Sequence, residues 1–442
     1  MTLQAAVEAE FPSVVADLQR LVAIDSVSAD AARLGRVDES AQAVADLVAN
    51  VGCQDVRIVS APSGRPAVIA RFPAPPGQPT VCLYAHHDVQ PEGDPAAWRS
   101  RPFAATERDG RLFGRGAADD KGGFAVHLGA LRAFGGRPPV GVTLFIEGEE
   151  EVGSPTLAAL LASHGSELAA DVYVIADSSN WEVGTPAFTT SLRGAGECVV
   201  TLRTLDHALH SGAFGGVAPD ALTAMCRLLA TLHDERGNVA VEGLHAEPGP
   251  DLDYPADRLR AETGILPGVD YLGDGTVVER LWTKPAISVI ALDATPVDQA
   301  SNTLIPAVRA KISMRVPPGE DAGRATDLLV DHLRAHAPWG AQLEIESGES
   351  GEPSRIAFQG AYAEAARAAF AEAWGREPVL IGQGGSIPIV GEFTAAFPEA
   401  TVLVTAVSDP DSRMHGANES VHLGDLQRAC LAEALFLQAV AR

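Results

Sequence analysis

Val81-Cys82-Leu83-Tyr84-Ala85 runs without a charge into His86-His87-Asp88. Short apolar and β-branched runs of this kind read as buried strands of a parallel sheet. Three further segments repeat the pattern. Val142-Thr143-Leu144-Phe145-Ile146 delivers Glu147-Gly148-Glu149-Glu150-Glu151, and Val172-Tyr173-Val174-Ile175-Ala176 delivers Asp177. Thr401-Val402-Leu403-Val404-Thr405 leads through a short loop to His415. In open α/β sheets ligands sit beyond the carboxyl ends of the strands. Metal-type side chains at four such ends, joined by Asp119 of a glycine-rich turn, are therefore expected to converge on one site.

A length of 442 residues exceeds one ordinary core, so two domains are expected. Residues 3–23 and 39–51 carry apolar residues at helical spacing, and 56–60, 67–72 and 80–85 read as strands. The turn at 116–123 opens a helix that Gly135-Gly136 closes. Ser154-Pro155 offers the next helix a serine cap and a first-turn proline. Past residue 187 the pattern changes. Strands at 197–203, 307–316 and 342–347, with helices at 219–235 and 321–336, make two strand–helix units of a small ferredoxin-like α+β domain. Residues 286–292 supply a further strand, whereas 241–284, rich in Gly, Pro and Asp, show no period. From 361 the earlier rhythm resumes and ends in a helix over 423–440. The expected organisation is a catalytic domain over 1–186 and 353–442, interrupted by an inserted domain over 187–352. The return of His415 to the site of His86 requires that topology.

Bulk composition narrows the function. The 33 basic and 58 acidic residues give a net charge of −25, which would repel nucleic acid and anionic membranes. The N-terminal segment lacks the basic start and apolar core of a signal peptide, and no apolar stretch is long enough to cross a bilayer. The five cysteines are dispersed and odd in number. They are expected as buried, reduced thiols of a cytoplasmic protein.

Three segments carry chemistry. His86 and Asp88 are two residues apart on an extended stretch and so point the same way, which lets the carboxylate fix the imidazole tautomer. Gly114-Arg115-Gly116-Ala117-Ala118-Asp119-Asp120-Lys121-Gly122-Gly123 places acids in a tight turn before a helix, where the dipole favours a carboxylate. It lacks the Walker spacing of a phosphate loop. Glu147, Glu149, Glu150 and Glu151 crowd the end of a buried strand, where a nearby divalent cation would relieve their mutual repulsion; a solvated acidic loop is the alternative reading.

Together, HHDVQPEG with Trp98 and Pro102-Phe103, GRGAADDKGG, EGEEEVGS, SLRG, HSGAFGG and GGSIPIV resemble the metallopeptidase M20 family. The resemblance covers essentially the whole chain, with the motifs in family order. It is nearest to the dipeptidase (carnosinase-like) branch, related to acetylornithine deacetylase and succinyl-diaminopimelate desuccinylase. It implies an α/β, zinc-exopeptidase-like mixed sheet flanked by helices, the inserted domain serving as lid and dimerisation unit. It further implies a two-zinc site, with Mn2+ or Co2+ as substitutes. His86 and Asp177 would bind one metal, Glu151 and His415 the other, and Asp119 would bridge both, followed by a cis Asp119-Asp120 peptide. Asp88 would orient His86, and Glu150 would be the general base. His210 would polarise the substrate carbonyl, often across a homodimer. Asn302 and Arg315 would engage the substrate, and Gly385 and Ser386 would hold its carboxylate. Gln383 and His87 depart from the family pattern. The implied reaction is metal-assisted hydrolysis of dipeptides or short peptides with a free C-terminal carboxylate, with acylated amino acids as alternative substrates. A catalytically silent homologue would have lost a ligand or the base, and this chain keeps them all.

Overall fold

Four parallel strands form the centre of the larger unit in the computed structural model, which describes residues 2–385 and 387–441. Gly141–Glu147, Thr80–His86, Val172–Ile175 and Thr401–Val404 lie side by side in that order. Asp55–Val59 and Ala67–Phe72 extend the sheet in antiparallel fashion beyond Gly141–Glu147, and Ala187–Leu192 joins at the other side. The register pairs His86 with Glu147, Tyr84 with Ile175, and Ile175 with Val404. All four strands therefore deliver their carboxyl ends to one edge.

The lack of alternation in these strands has a packing cause. Leu83, Ala85, Leu144, Ile146 and Val174 meet Phe124, Leu128 and Phe436 from helices Lys121–Ala133 and Leu423–Ala439. Their neighbours Tyr84, Phe145 and Tyr173 point to the opposite face and enclose Phe393 of helix Pro388–Ala396, with ring centroids 4.3–6.3 Å away. Each such fully buried side chain contributes about 1.5–3 kcal/mol through burial. With both faces covered, the sheet edge holding the carboxyl ends is where polar side chains gather.

Two details of the helix starts differ from expectation or sharpen it. Asp120 caps helix Lys121–Ala133, its carboxylate accepting from the Gly123 amide at 3.1 Å. That leaves Asp119 free of capping duty. The helix expected from Ser154 begins instead at Leu157, and Ser154 lies in the left-handed region at φ 51°. The Glu149 carboxylate accepts from the Thr156 amide at 2.8 Å, so an acid of the preceding loop performs the role expected of the serine.

The larger unit comprises Met1–Thr190, Ile356–Ile381 and Ile387–Arg442, and the smaller comprises Ser191–Arg355 with Gly382–Ser386. The smaller unit holds an antiparallel sheet in the order Ala286–Asp293, Ala307–Val316, Gly194–Arg203, Gln342–Gly351. Helices Ala221–Ala230 and Ala322–Ala335 cover one face through Met225, Leu228, Leu329 and Leu333 against Val200, Leu202, Ile312 and Met314. Its β-α-β-β-α-β order and this strand arrangement are ferredoxin-like. Gly194–Arg203 alternates buried and half-buried residues accordingly. Of the free cysteines, Cys53, Cys82, Cys198 and Cys430 are buried, but Cys226 is exposed. Its helix turns Met225 and Leu228 inward and leaves Cys226 outside. Among the described residues no helix is long and apolar enough to cross a membrane.

Candidate metal centre

The level strand ends bring His86, Glu150, Glu151 and Asp177 to one place, and the turn before helix Lys121–Ala133 adds Asp119. His86 Nε2 lies 3.1 Å from Asp119 Oδ1, 3.8 Å from Glu150 Oε2 and 4.0 Å from Asp177 Oδ1. His415 Nε2 lies 2.9 Å from Asp119 Oδ2 and 3.3 Å from Glu151 Oε2. Asp119 thus turns one oxygen to each histidine. The peptide bond that follows it, Asp119-Asp120, is cis.

His86 is fixed from behind. Its Nδ1 lies 3.1 Å from the Asp88 carbonyl and 3.4 Å from Asp88 Oδ1, and its amide donates to Asp120 at 3.2 Å. The Asp88 carboxylate also accepts from the amides of Glu150 and Glu151, at 3.3 and 3.1 Å. Burial alone would raise the Asp88 carboxyl, but the bond to His86 and its charge hold it below the usual range.

The four acids after Gly141–Glu147 separate into two pairs. Glu147 accepts from the Tyr84 hydroxyl at 2.8 Å, and burial pushes its carboxyl up to about 7. Glu149 anchors the loop through the amides of Arg65 and Thr156. Only Glu150 and Glu151 reach the cluster. Burial, followed by the charge of Asp177 for Glu150 and of Asp119 for Glu151, raises both carboxyls, and burial raises Asp177 as well. Hydrogen bonds from His415 to Asp119 and Glu151 carry its imidazole up to about 10.

The donor set fits divalent cations. Ligand atoms of His86, Glu150 and Asp177 lie within 4.8 Å of one another, as do those of His86, Asp119 and Glu151. Two imidazoles face four crowded carboxylates, and borderline cations accept such mixed nitrogen and oxygen donors. Positive charge there removes the repulsion that otherwise drives the acids to bind protons.

Two supporting residues escaped the sequence reading. Gln90 donates from its amide and side chain to the two oxygens of Glu151, at 3.1 and 2.8 Å. Glu419, fully buried, accepts from Arg115 at 2.5 Å and from the amides of Ala118 and Asp119 at 3.0 and 3.1 Å. It lies four residues past His415, and no periodicity marks it. His87, the departure noted above, is buried with Nε2 2.9 Å from the Pro66 carbonyl.

The remaining candidates belong to the smaller unit. His210 and Asn302 are neighbours there: His210 pairs with Thr303 in a short ladder, and the Ser211 amide donates to the Asn302 carbonyl at 2.9 Å. His210 is exposed, its Nδ1 accepting from the Gly212 amide at 3.0 Å. Arg315 lies near the end of Ala307–Val316, opposite Ala195 and Ala286. Gly385 is exposed with open space around it, and Ser386 lies outside the described residues.

Residues 82–439 match the model of peptidase family M20/M25/M40. The cysteinylglycine-S-conjugate dipeptidase of Corynebacterium striatum is 36% identical, over 81% of this chain and 80% of the relative. The Cys-Gly metallodipeptidase DUG1 of Saccharomyces cerevisiae is 27% identical over 97% and 95%. The solved structure of the yeast dipeptidase Dug1p superposes with a TM-score of 0.86 at 25% identity, covering 99% of this chain and 98% of that one. Human carnosine dipeptidase 1 gives a TM-score of 0.86 at 24% identity, covering 99% and 98%, and shares the fold. The chain belongs to peptidase family M20/M25/M40.

Proposed function

We propose that the protein is a di-zinc dipeptidase that hydrolyses the amide bond of dipeptides or short peptides with a free C-terminal carboxylate. The observation that carries this reading is Asp119, whose two oxygens face His86 and His415 separately, with Glu150 beside the first of them. His86 and Asp177 would hold one cation and Glu151 and His415 the other, with Asp119 serving both. When bound, the cations polarise the scissile carbonyl and acidify the attacking water. Glu150 takes the proton of that water and passes it to the leaving amine. Asp88 sets the His86 tautomer and, through the amides of Glu150 and Glu151, the position of base and ligand together.

In the smaller unit, His210 polarises the carbonyl within a homodimer, Asn302 and Arg315 engage the substrate, and Gly385 and Ser386 hold its carboxylate. An arginine suits that group by forming paired charge-assisted hydrogen bonds. Relatives named for Cys-Gly and β-Ala-His dipeptides favour dipeptides over acylated amino acids as substrates.

The test is turnover by protein stripped of metal and reloaded with zinc, manganese or cobalt. Substrates would include Cys-Gly, β-Ala-His, other dipeptides and N-acetyl-amino acids. Metal-dependent cleavage of dipeptides is expected. Turnover confined to acylated amino acids would make the protein a deacylase, and none at all would make it a silent homologue. Sedimentation reads the dimer.

A further inference from the structure

Within His86-His87-Asp88, the chemistry of the centre gives His87 no role. The stretch is extended, so the His87 ring leaves it on the side opposite His86 and Asp88, and it is fully buried. Its Nε2 lies 2.9 Å from the Pro66 carbonyl. A carbonyl only accepts, so Nε2 carries the proton of that bond. Nδ1 is buried without a partner among the described residues. The ring thus spends its hydrogen bonding on a single contact, and that contact lies across a neighbouring strand.

Strands Ala67–Phe72, Gly141–Glu147 and Thr80–His86 lie side by side in that order. Pro66 precedes the first and His87 follows the third, so their bond passes the chain where it leaves the middle strand at Gly148. The approach there is close. A Cβ added to Gly148 would stand 2.3 Å from the Pro66 carbonyl oxygen and 2.8 Å from Cε1 and Nε2 of His87. Position 148 therefore accepts no side chain while this bond is made. The next three residues are held from the same two segments. Glu149 accepts from the Arg65 amide at 3.0 Å, and the amides of Glu150 and Glu151 donate to Asp88 at 3.3 and 3.1 Å. His87 is itself anchored, its amide donating to the Glu147 carbonyl at 2.8 Å and its carbonyl accepting from the hydroxyls of Ser26 and Ser40 at 2.7 and 3.2 Å. All of these residues belong to the larger unit. Asp88 grips the turn by its amides, and His87 fixes where the turn begins.

We propose that His87 is a positioning residue, whose hydrogen bond to Pro66 across Gly148 sets the Gly148–Glu151 turn and with it the placement of Glu150 against the attacking water. This rests on the reading of Glu150 as general base of a dipeptidase. A base displaced by about 1 Å loses rate, by up to about 10²-fold, while substrate binding is unchanged.

The experiment measures kcat, KM and metal content of metal-loaded His87→Leu and His87→Gln on a dipeptide that wild type cleaves. Leucine fills the space without a donor, whereas glutamine returns an N–H at about the reach of Nε2. His87→Leu is expected to lower kcat about 10–100-fold, with KM and metal content within about twofold of wild type, and His87→Gln to recover most of that loss. A kcat for His87→Leu within about twofold of wild type, or equal losses in both variants, would overturn the proposal by reducing the ring to a space filler. So would a loss carried by KM or metal content in place of kcat. Should His87→Leu fail to melt cooperatively, His87→Asn, whose amide stops one carbon short of the Pro66 carbonyl, decides by the same criterion. If wild-type protein cleaves no dipeptide, the dipeptidase reading fails separately. The positioning is then read by amide hydrogen exchange over residues 148–152 of the metal-free protein. Faster exchange there in the donor-less variant, restored in His87→Gln, supports it, and exchange at the wild-type rate in both overturns it.

Discussion

His86 and His415 offer the same ring nitrogen to the same aspartate, yet the fold holds them in opposite ways. His86 ends a central parallel strand, is wholly buried, and is gripped through Asp88 and Asp120. His415 stands on a loop at φ 61°, with 58% of its side chain exposed. Its loop is secured at the next residue, where the Gly416 carbonyl accepts from Arg115 at 3.3 Å, and at points further off. Arg111 binds Asp409 at 2.9 Å, Glu419 binds Arg115, and Asn418 bonds the Ala97 carbonyl and the Arg99 amide. The sheet thus aims one half of the centre by strand geometry. The other half depends on buried ion pairs that tie a late loop to early ones.

The largest expected effect tests the half that is fixed by the sheet. Glu150→Gln should lower kcat by about 10²–10⁴-fold while metal content by elemental analysis stays at the wild-type level. Unchanged hydrolysis would remove Glu150 from the chemistry. Glu419→Gln tests the other half. It leaves Arg115 buried without its charge partner, a change that costs about 3–5 kcal/mol, so urea unfolding should show a loss of that order. Metal affinity should fall with it, because the amides of Ala118 and Asp119 lose a charged acceptor. Wild-type stability in that variant would mean that the loop is held by something other than the Arg115 pair.

A paired measurement probes the contrast itself. Asp88→Asn should weaken metal binding about 10–100-fold and also destabilise the metal-free protein, since Asp88 serves His86 and two backbone amides at once. His415→Ala should weaken metal binding too, but destabilise the metal-free protein less than Asp88→Asn, because its half-exposed imidazole pairs only with Asp119 and Glu151 and solvent screens part of that charge. Similar stability losses in both variants would erase the distinction drawn between the halves.

The same contrast accounts for what was legible in the sequence. His86, Glu150, Glu151 and Asp177 follow apolar runs, and a parallel sheet sends such ends to one edge, so their meeting was readable. Asp119 was expected at the site, but its residue type alone does not separate it from Asp120, since either could cap the helix and the three-dimensional turn assigns the cap to Asp120. Glu419 gave no signal, and Gln90 stood in the quoted HHDVQPEG motif without a role, since a hydrogen bond between segments distant in the chain leaves no period in either. The serine cap at Ser154 failed because the Glu149 carboxylate of the preceding loop takes the Thr156 amide. Residues 241–284 had no pattern to read. Part of that segment is organised by side chain to backbone bonds, as where Arg260 donates to the carbonyls of Ile265, Leu266 and Val269.

A third histidine isolates the effect of burial without the cluster. His127 lies fully buried on helix Lys121–Ala133, with Nδ1 2.8 Å from Glu433 and Nε2 2.9 Å from the Tyr84 carbonyl. A carboxylate and a carbonyl can only accept, so both ring nitrogens must donate and the imidazole is protonated. Burial opposes this, but the charge of Glu433 and its hydrogen bond outweigh it and raise the imidazole above its ordinary value. A histidine whose folded value is raised gives stability that is complete below the unfolded value, about 6.5, and is lost as pH rises through the folded one. The difference in unfolding free energy between wild type and His127→Gln should therefore be greatest below about pH 6.5. There it should be of the order of a charged hydrogen bond, about 1.5–3 kcal/mol, and it should shrink as pH rises. A difference that stays flat across that range would show that the ring is neutral in the fold, and the strand-end half would then owe nothing to a buried positive charge behind it.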